Sequence, residues 1–166
     1  MEHIAPNRLR PVLISSMTMI LLSITPFISF INLFFCSGII LGGVVGVLSL
    51  RKQLNNSVNL LNYKDSVMIG ILSGILSSVI ITGFNILILM YSKNNPFLEM
   101  KGFLDTFTDK FPEISSEIAK LSSEYDKYGF SPTLSIVMFI MHLFLYPFFG
   151  TIGALITVFI LKKKNN

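Results

Sequence analysis

The sequence is poor in cysteine, histidine and tryptophan, and these shortages exclude several kinds of site. The single cysteine, Cys36, cannot form an intramolecular disulfide or the thiol pair of a redox enzyme. Two histidines, His3 and His142, are too few for a histidine-rich metal site. Tryptophan is absent, so an aromatic belt at a membrane surface would have to consist of tyrosine and phenylalanine. We therefore predict no metal site and no cofactor.

Charge is also scarce, and its distribution along the chain is uneven. Of the 166 residues, 52% are hydrophobic and 13% are charged, against about 25% charged in an ordinary soluble domain. No Asp, Glu, Lys or Arg occurs in 11–50, 66–92 or 129–161. Uncharged apolar runs longer than about 18 residues are typical of membrane-spanning helices. The composition therefore predicts one all-α membrane domain covering residues 1–166.

The apolar runs divide into four predicted transmembrane helices, at about 11–30, 33–50, 66–91 and 132–161. The first run is too long for one helix, because about 40 residues at 1.5 Å each cover roughly 60 Å, twice the hydrocarbon thickness of about 30 Å. Pro26, Ser29 and Asn32 mark a tight turn between two short helices. The alternative is a re-entrant hairpin that never crosses, since each arm is close to the lower limit for spanning.

The basic residues predict the orientation. Arg8 and Arg10 precede the first span, three basic residues lie in 51–65, and Lys162, Lys163 and Lys164 end the last span. All eight fall on one side of a four-span arrangement. The segment 92–131, on the other side, carries five lysines and seven acidic residues, a net charge of −2. The positive-inside rule then predicts an inner-membrane protein with both termini cytoplasmic. Because topology accounts for the formal net charge of +4, we predict no nucleic-acid partner.

The segment 92–131 is predicted to form two amphipathic helices outside the membrane. Asn95-Pro96 is a helix start signal, and Pro112 interrupts the apolar pattern and restarts it. Apolar residues recur at helical spacing in the second half, at Ile114, Ile118, Leu121, Tyr125 and Tyr128. Ser131-Pro132 repeats the start signal where the last span begins. We interpret the segment as a helical cap; a partner-docking or ligand-gating surface is the alternative.

Small residues recur three or four positions apart in the last three predicted spans, at Gly38, Gly42, Gly46, Gly70, Gly74, Ser78, Gly150 and Gly153. Such faces let helix backbones approach closely, which is a main source of helix association in lipid. We predict that they pack helices together and that spans 2 and 3 pack within one chain. The spacing is equally compatible with a homodimer.

His142 is the one readily titratable side chain well inside a predicted span. Intramembrane ionisable residues are costly, and a functional role is the default hypothesis for them. Pro147 cannot donate a backbone hydrogen bond and frees the carbonyl of Leu143. A kink there would open a small polar site formed by His142, Tyr146 and Asn85. The alternative is a neutral histidine that is hydrogen-bonded to a neighbouring helix.

Enzymatic signatures are missing from the sequence. The predicted spans contain no pair of acidic residues, no H-E-x-x-H motif occurs, and no serine on the same helix is an obvious partner of His142. The glycines Gly42 and Gly43 lie in an apolar helix and not in a phosphate-binding loop. We therefore predict that the protein is not an enzyme.

One resemblance covers most of the chain and rests mainly on glycine spacing. Its residues are Pro26, Asn32, Cys36, Gly42-Gly43, Tyr63-x-Asp65, Gly70, Gly74, Gly150-x-x-Gly153 and the lysine tail. In these the chain resembles small uncharacterised bacterial multi-span membrane proteins of the domain-of-unknown-function type. The resemblance implies no activity.

Three functions fit this pattern. We expect a non-enzymatic accessory or scaffold subunit of a membrane complex, in contact with the lipid bilayer and with either a second copy or a membrane partner. The second is a small oligomeric transporter or channel with its polar site around His142. The third is a membrane sensor that uses the 92–131 segment.

Overall fold

The structure is a computed structural model that describes residues 7–25, 36–55, 58–92, 95 and 112–165. Within these residues it is all-helical and has no strand, which confirms the predicted all-α class. The elements are α1 (Leu9–Ile24), α2 (Ser37–Gln53), a short 3₁₀ helix (Val58–Leu60), α3 (Tyr63–Ser92), α4 (Pro112–Tyr128) and α5 (Pro132–Asn165).

Two of the described helices, α3 and α5, are long and apolar enough to cross a membrane, where the sequence predicts four. Their 30 and 34 residues correspond to roughly 45 and 51 Å of helix. Because α1 and α2 have only 16 and 17 residues, each is about 25 Å long. The predicted spans 11–30 and 33–50 run into residues 26–35, and so does the predicted turn at Pro26, Ser29 and Asn32. That stretch lies outside the described residues.

Local signals explain where these helices end. Thr25, the residue after α1, has extended backbone angles, as a residue that precedes a proline usually does. Asn55 follows α2 with φ of 51°, a left-handed conformation that asparagine tolerates after a helix. The helix α2 thus continues through Arg51 and Lys52, beyond the end of the predicted span at residue 50.

The chain forms two compact units. The first unit comprises Met1–Ile81 and Met141–Asn166, and it contains α1, α2, most of α3 and most of α5. The second unit comprises Thr82–Ile140 and contains α4 with the adjoining ends of α3 and α5.

Contacts in the first unit give the directions of α1, α2 and α3. Arg8 pairs with Asp65, and two turns further along each helix Ser15 meets Ser73, so α1 and α3 run the same way. By contrast, Met19 near the end of α1 contacts Gly42 in the first half of α2. The start of α1 lies beside the end of α2, so these two helices are antiparallel.

The direction of α5 follows from its contacts with α3. The backbone of Thr151 lies against Gly70, and one turn further along α3 the backbone of Pro147 lies against Gly74. Residue numbers rise on one helix as they fall on the other, so α5 is antiparallel to α3. Within the first unit, α1 and α3 therefore run one way and α2 and α5 the other.

The interior of the first unit contains small polar side chains together with apolar residues such as Met19, Leu50 and Ile69, and large apolar side chains also cover its surface. The buried serines include Ser15, Ser16, Ser66, Ser73, Ser77 and Ser78. Large apolar residues are exposed on the helix faces that point outward, among them Leu13, Met17, Leu21, Val79, Phe144, Phe148 and Phe159. Phe144, for example, is 72% exposed. In a soluble protein more of these large apolar side chains would be buried.

In the second unit, α4 begins at Pro112, which confirms the restart predicted there. The helix ends at Gly129, whose φ of 77° is left-handed and whose N–H donates to the carbonyl of Tyr125 at 2.8 Å. Tyr125 is buried, and Ile118 and Leu121 are half-buried, whereas Tyr128 is exposed. The predicted apolar stripe is thus confirmed for its middle part. The predicted helix after Asn95-Pro96 lies outside the described residues.

Candidate functional site

The predicted polar site contains a hydrogen bond that the sequence did not indicate. The Tyr146 hydroxyl donates to Ser23 Oγ at 2.8 Å, which links α5 to the end of α1. Tyr146 is buried, with 5% of its surface exposed. His142, one turn earlier in α5, is half-buried, and its ring meets the Tyr146 ring edge-on with 5.4 Å between centroids. Two of the three predicted site residues therefore lie side by side.

Asn85, the third predicted residue, has an exposed side chain. It belongs to the second unit, whereas His142 and Tyr146 belong to the first. Asn32 lies outside the described residues. The part of the site that the structure brings together thus consists of His142, Tyr146 and Ser23.

Pro147 is accommodated inside α5 by a glycine on α3. The Pro147 backbone lies so close to Gly74 that a Cβ at position 74 would collide with it. The helix continues past this proline to Asn165. The glycine at position 74 therefore allows α5 to pack directly on α3 at Pro147.

A serine pair in the middle of the first unit was missed by the sequence reasoning. Ser15 Oγ lies 2.8 Å from the carbonyl oxygen of Gly42 and 3.0 Å from Ser73 Oγ. Ser73 in turn donates to the carbonyl of Ile69 at 2.6 Å. Because Ser15 has one hydroxyl proton, it donates to either α2 or α3 at any moment. These contacts join α1, α2 and α3 at one level.

A second serine contact lies one turn further along. Ser77 Oγ donates to the carbonyl of Ser73 at 2.7 Å and approaches the carbonyl of Ser16 and the sulfur of Met19, at 3.3 and 3.5 Å. Ser73 and Ser77 are four residues apart, which is the same signal that drew attention to the neighbouring glycines. Their spacing was therefore visible in the sequence, although their partners on α1 were not.

The predicted packing glycines lie at close backbone contacts within one chain. A Cβ at Gly42 would collide with Met19, and a Cβ at Gly46 would lie 2.8 Å from side-chain atoms of both Ser15 and Ile69. The lack of a side chain at Gly46 therefore lets α2 pack closely against both α1 and α3.

The tightest contacts of α2 are with α5 rather than with α3. A Cβ at Gly43 would collide with the carbonyl oxygen of Gly150, and a Cβ at Gly153 would collide with that of Ile40. The α3 glycine Gly70 likewise faces Thr151 of α5. The expected pairing of spans 2 and 3 is thus only part of the arrangement, because α5 lies against the glycine faces of both.

Two further predicted packing residues are buried. Gly38 is buried in the first turn of α2. Ser78 is fully buried, and its hydroxyl donates to the carbonyl of Ile75 in its own helix at 2.8 Å. The Ser78 hydroxyl is therefore satisfied locally.

A carboxylate cluster organises the second unit. Glu124 of α4 accepts hydrogen bonds from the hydroxyls of Ser131 and Thr133, both at 2.6 Å, and from the Thr133 N–H at 3.1 Å. The Ser131 hydroxyl, followed by the two donors of Thr133, holds the pKa of Glu124 below its usual range. Ser131 Oγ also accepts from the Leu134 N–H at 3.2 Å, which confirms the predicted cap of α5.

Asn95 and Tyr125 hold α4 to neighbouring parts of the second unit. The buried Asn95 side-chain amide donates to Asp126 at 2.7 Å and to Ser122 Oγ at 3.2 Å. The Tyr125 hydroxyl donates to the carbonyl of Leu89 near the end of α3 at 3.0 Å. The side chain that was predicted to start a helix at Asn95 thus contacts α4.

Comparison with known proteins adds no relative. No family model, no curated protein and no solved structure matches this chain. Among the described residues, no group of three or more histidine, cysteine, aspartate or glutamate side chains is placed to hold a metal ion.

Proposed function

We propose that this chain is a multi-pass integral membrane protein in which α1, α2, α3 and α5 cross the bilayer. The exposed apolar surface carries this proposal, because many leucine, isoleucine and phenylalanine side chains lie on the outside of the first unit, while serine, glycine and a set of apolar residues fill its interior. In an apolar stretch of 18 residues in each helix, only 44% is buried in α3 and 33% in α5. A helix in a soluble core would be mostly buried, whereas lipid can cover the exposed apolar faces.

The helix directions support two pairs of crossings with both termini on one side. The start of α1, the end of α2, the start of α3 and the end of α5 belong to the same end of the first unit. There Arg8 pairs with Asp65, and the Lys162 ammonium lies 4.8 Å from the centre of the Tyr63 ring. Positive charge gathered at one end is the arrangement that the positive-inside rule assigns to the cytoplasm of an inner-membrane protein.

Within the membrane the protein acts, in our proposal, as a non-enzymatic accessory or scaffold subunit. The interior hydroxyls of Ser15, Ser73 and Ser77 are engaged in contacts between or within helices. Glycine-rich packing leaves backbones in direct contact at Gly43 and Gly153. The large side chains that could join a partner or a second copy are on the outer surface.

Accessibility labelling tests the topology, including the re-entrant alternative for 11–50. In a Cys36→Ser background, a single cysteine is placed at Thr25, Lys52 or Lys127, all of which are exposed. The proposed topology puts Thr25 and Lys127 on the outer side of the membrane and Lys52 in the cytoplasm. An impermeant maleimide added outside intact spheroplasts should label Thr25→Cys and Lys127→Cys, and should label Lys52→Cys only after lysis. Labelling of Lys127→Cys without Thr25→Cys would support the re-entrant hairpin.

Purification in mild detergent tests the scaffold role. We expect a stable partner or a defined homo-oligomer that survives size-exclusion chromatography and native mass spectrometry. A monodisperse monomer that crosslinks to no neighbour in native membranes would contradict the proposal.

The alternative, an oligomeric transporter or channel, is favoured by the contact of His142 with Tyr146 beside the Pro147–Gly74 contact. The matched variants His142→Ala and Phe144→Ala separate the two functions in reconstituted vesicles, since Phe144 is an exposed neighbour on the same helix. A transporter predicts flux that His142→Ala changes between pH 5.5 and 7.5 and Phe144→Ala does not. Flux that is insensitive to His142→Ala would exclude the histidine route.

A further inference from the structure

A groove of about 530 Å³ lies in the first unit between the start of α1 and the end of α2. Three of the residues that line it are cationic, namely Arg10, Arg51 and Lys52. Three others are apolar, namely Ile14, Val45 and Leu48. The apolar residues lie one turn or more from the cationic ones, toward the middle of each helix. The groove is thus basic at the end nearer the helix termini and apolar toward the predicted hydrocarbon region.

The cations of the groove have no acidic residue beside them in its lining. Among the described residues of the first unit, Asp65 is the one acid, and it pairs with Arg8 at 2.6 Å. The Nε atom of Arg51 is buried and has no hydrogen-bond partner. Because that atom is not exposed, an anion in the groove would instead meet the exposed side chains of Arg10 and Lys52, which no acidic residue of the lining neutralises.

Helix dipoles explain only part of this charge. Arg51 and Lys52 are in the last turn of α2, where the dipole favours cations. Arg10 is in the first turn of α1, where the dipole disfavours a cation and favours an anion. The positive end of α1 and the negative end of α2 both lie at the groove and offset each other, so its positive charge comes from the three side-chain cations.

We propose that this groove binds an anionic phospholipid, with the phosphate headgroup between Arg10, Arg51 and Lys52 and the upper acyl chain along Ile14, Val45 and Leu48. The order of basic and apolar surface matches the order of headgroup and chain in a lipid of the cytoplasmic leaflet. Basic clusters of this kind beside transmembrane helices recognise anionic headgroups. The inference rests on the proposed membrane insertion and orientation.

Native mass spectrometry of the full chain, released from mild detergent, tests the proposal with phosphatidylglycerol and phosphatidylcholine of identical acyl chains. We expect the wild type to retain phosphatidylglycerol in preference. Removing one cation should weaken retention about fivefold, so Lys52→Gln and the double variant Arg10→Gln/Arg51→Gln should show a graded loss. The matched control Lys64→Gln/Lys163→Gln removes two cations outside the groove and should retain the lipid as the wild type does.

Four results would overturn the proposal. The first is equal retention of the two lipids, and the second is an equal loss of lipid in the control variant. The third is loss of binding in the charge-retaining Arg10→Lys/Arg51→Lys variant. The fourth is displacement of the lipid by millimolar inorganic phosphate, which would indicate a site for the free anion. Lys52 is exposed, so Lys52→Gln keeps the test valid if the arginine variants misfold. Resistance of the wild type to carbonate extraction from membranes is measured in parallel. Extraction would refute membrane insertion itself, whereas resistance together with an insensitive groove refutes only the lipid site.

Discussion

Among the described residues, the hydroxyl hydrogen bonds of the first unit go mainly to backbone carbonyls, whereas in the second unit two hydroxyls, those of Ser131 and Thr133, bond to a carboxylate. Ser15 and Ser77 sit between helices and satisfy carbonyls in an apolar setting. Ser131 and Thr133 instead converge on Glu124, a partly buried acid in a helix of mixed charge. A neutral hydroxyl can be placed in lipid at small cost, whereas a carboxylate is costly there. The two units thus have the polar chemistry expected of a membrane environment and of an aqueous one.

The largest expected effect lies in the first unit, at the backbone contact between α2 and α5. In Gly43→Val a Cβ would collide with the carbonyl of Gly150 and lie 2.9 Å from the nitrogen of Ala154. We expect the free energy of unfolding in detergent to fall by about 3 kcal/mol, because two backbones have to separate.

The matched control is Gly83→Val, because a Cβ at Gly83 meets no atom within 4 Å. Thermal unfolding followed by circular dichroism compares the two variants. Equal melting temperatures for both variants would mean that α2 and α5 do not pack as described.

Loss of the α5 cap tests the second unit. Ser131→Ala removes the acceptor of the Leu134 N–H and one donor to Glu124. We expect a local destabilisation of about 1 kcal/mol, visible in hydrogen exchange as faster exchange at the start of α5 and not in α1 or α2. Ser135→Ala, which removes only a bond to the carbonyl of Ser131 one turn earlier, should change little. Uniformly faster exchange in both units would argue against a separable second unit.

A smaller effect is expected from a buried serine. Ser73→Ala removes an acceptor for Ser15 and a bond to the carbonyl of Ile69. Hydrogen bonds between membrane helices contribute about 0.6 kcal/mol on average, and we expect a loss of that size in the detergent unfolding assay. Thr18→Ala is the control, because Thr18 is half-buried and its hydroxyl donates within α1, to the carbonyl of Ile14. A larger loss of stability in Thr18→Ala than in Ser73→Ala would mean that the stabilisation comes from hydrogen bonds within a helix and not from those between helices.

The smallest effect concerns pH. The pKa of Glu124 is lower in the folded state than in the unfolded chain, because Ser131 and Thr133 donate to its carboxylate. Its stabilising contribution is therefore complete above the unfolded pKa of about 4.3 and is lost as the pH falls through the lower folded value. The difference in melting temperature between the wild type and Glu124→Gln should be constant near neutral pH and shrink in acid. A difference that grows in acid would contradict these hydrogen bonds.

Sequence periodicity predicted the described elements best where local signals were strong. The uncharged runs correspond to α3 and α5, and the prolines at positions 112 and 132 begin α4 and α5 as expected. The same reasoning overestimated the length of α1, because hydropathy does not show where the backbone leaves the helix at Thr25, and it ended α2 too early, because α2 continues through charged residues to Gln53. The glycine spacing identified a packing face but not its partner, which depends on how four helices are arranged in space.

The polar site shows the same limit. The combination of His142, Tyr146 and a following proline was visible on one helix, at intervals that place the rings together. Ser23 is 123 residues from Tyr146 in sequence, and nothing in the local pattern of α1 marked it as a hydrogen-bond partner. The sequence indicated which kinds of residue form contacts between helices, but not which residues pair with each other.

The matched spacing of Gly70 and Gly74 with Thr151 and Pro147 fixes the axial register of α3 and α5. A shift of α5 along α3 by one residue would bring a side chain where only a glycine fits. Inserting one residue between the two glycines would turn their faces apart by about 100°. The length of this part of the chain is therefore fixed more strictly than its composition, because an inserted residue would separate the two glycine contacts.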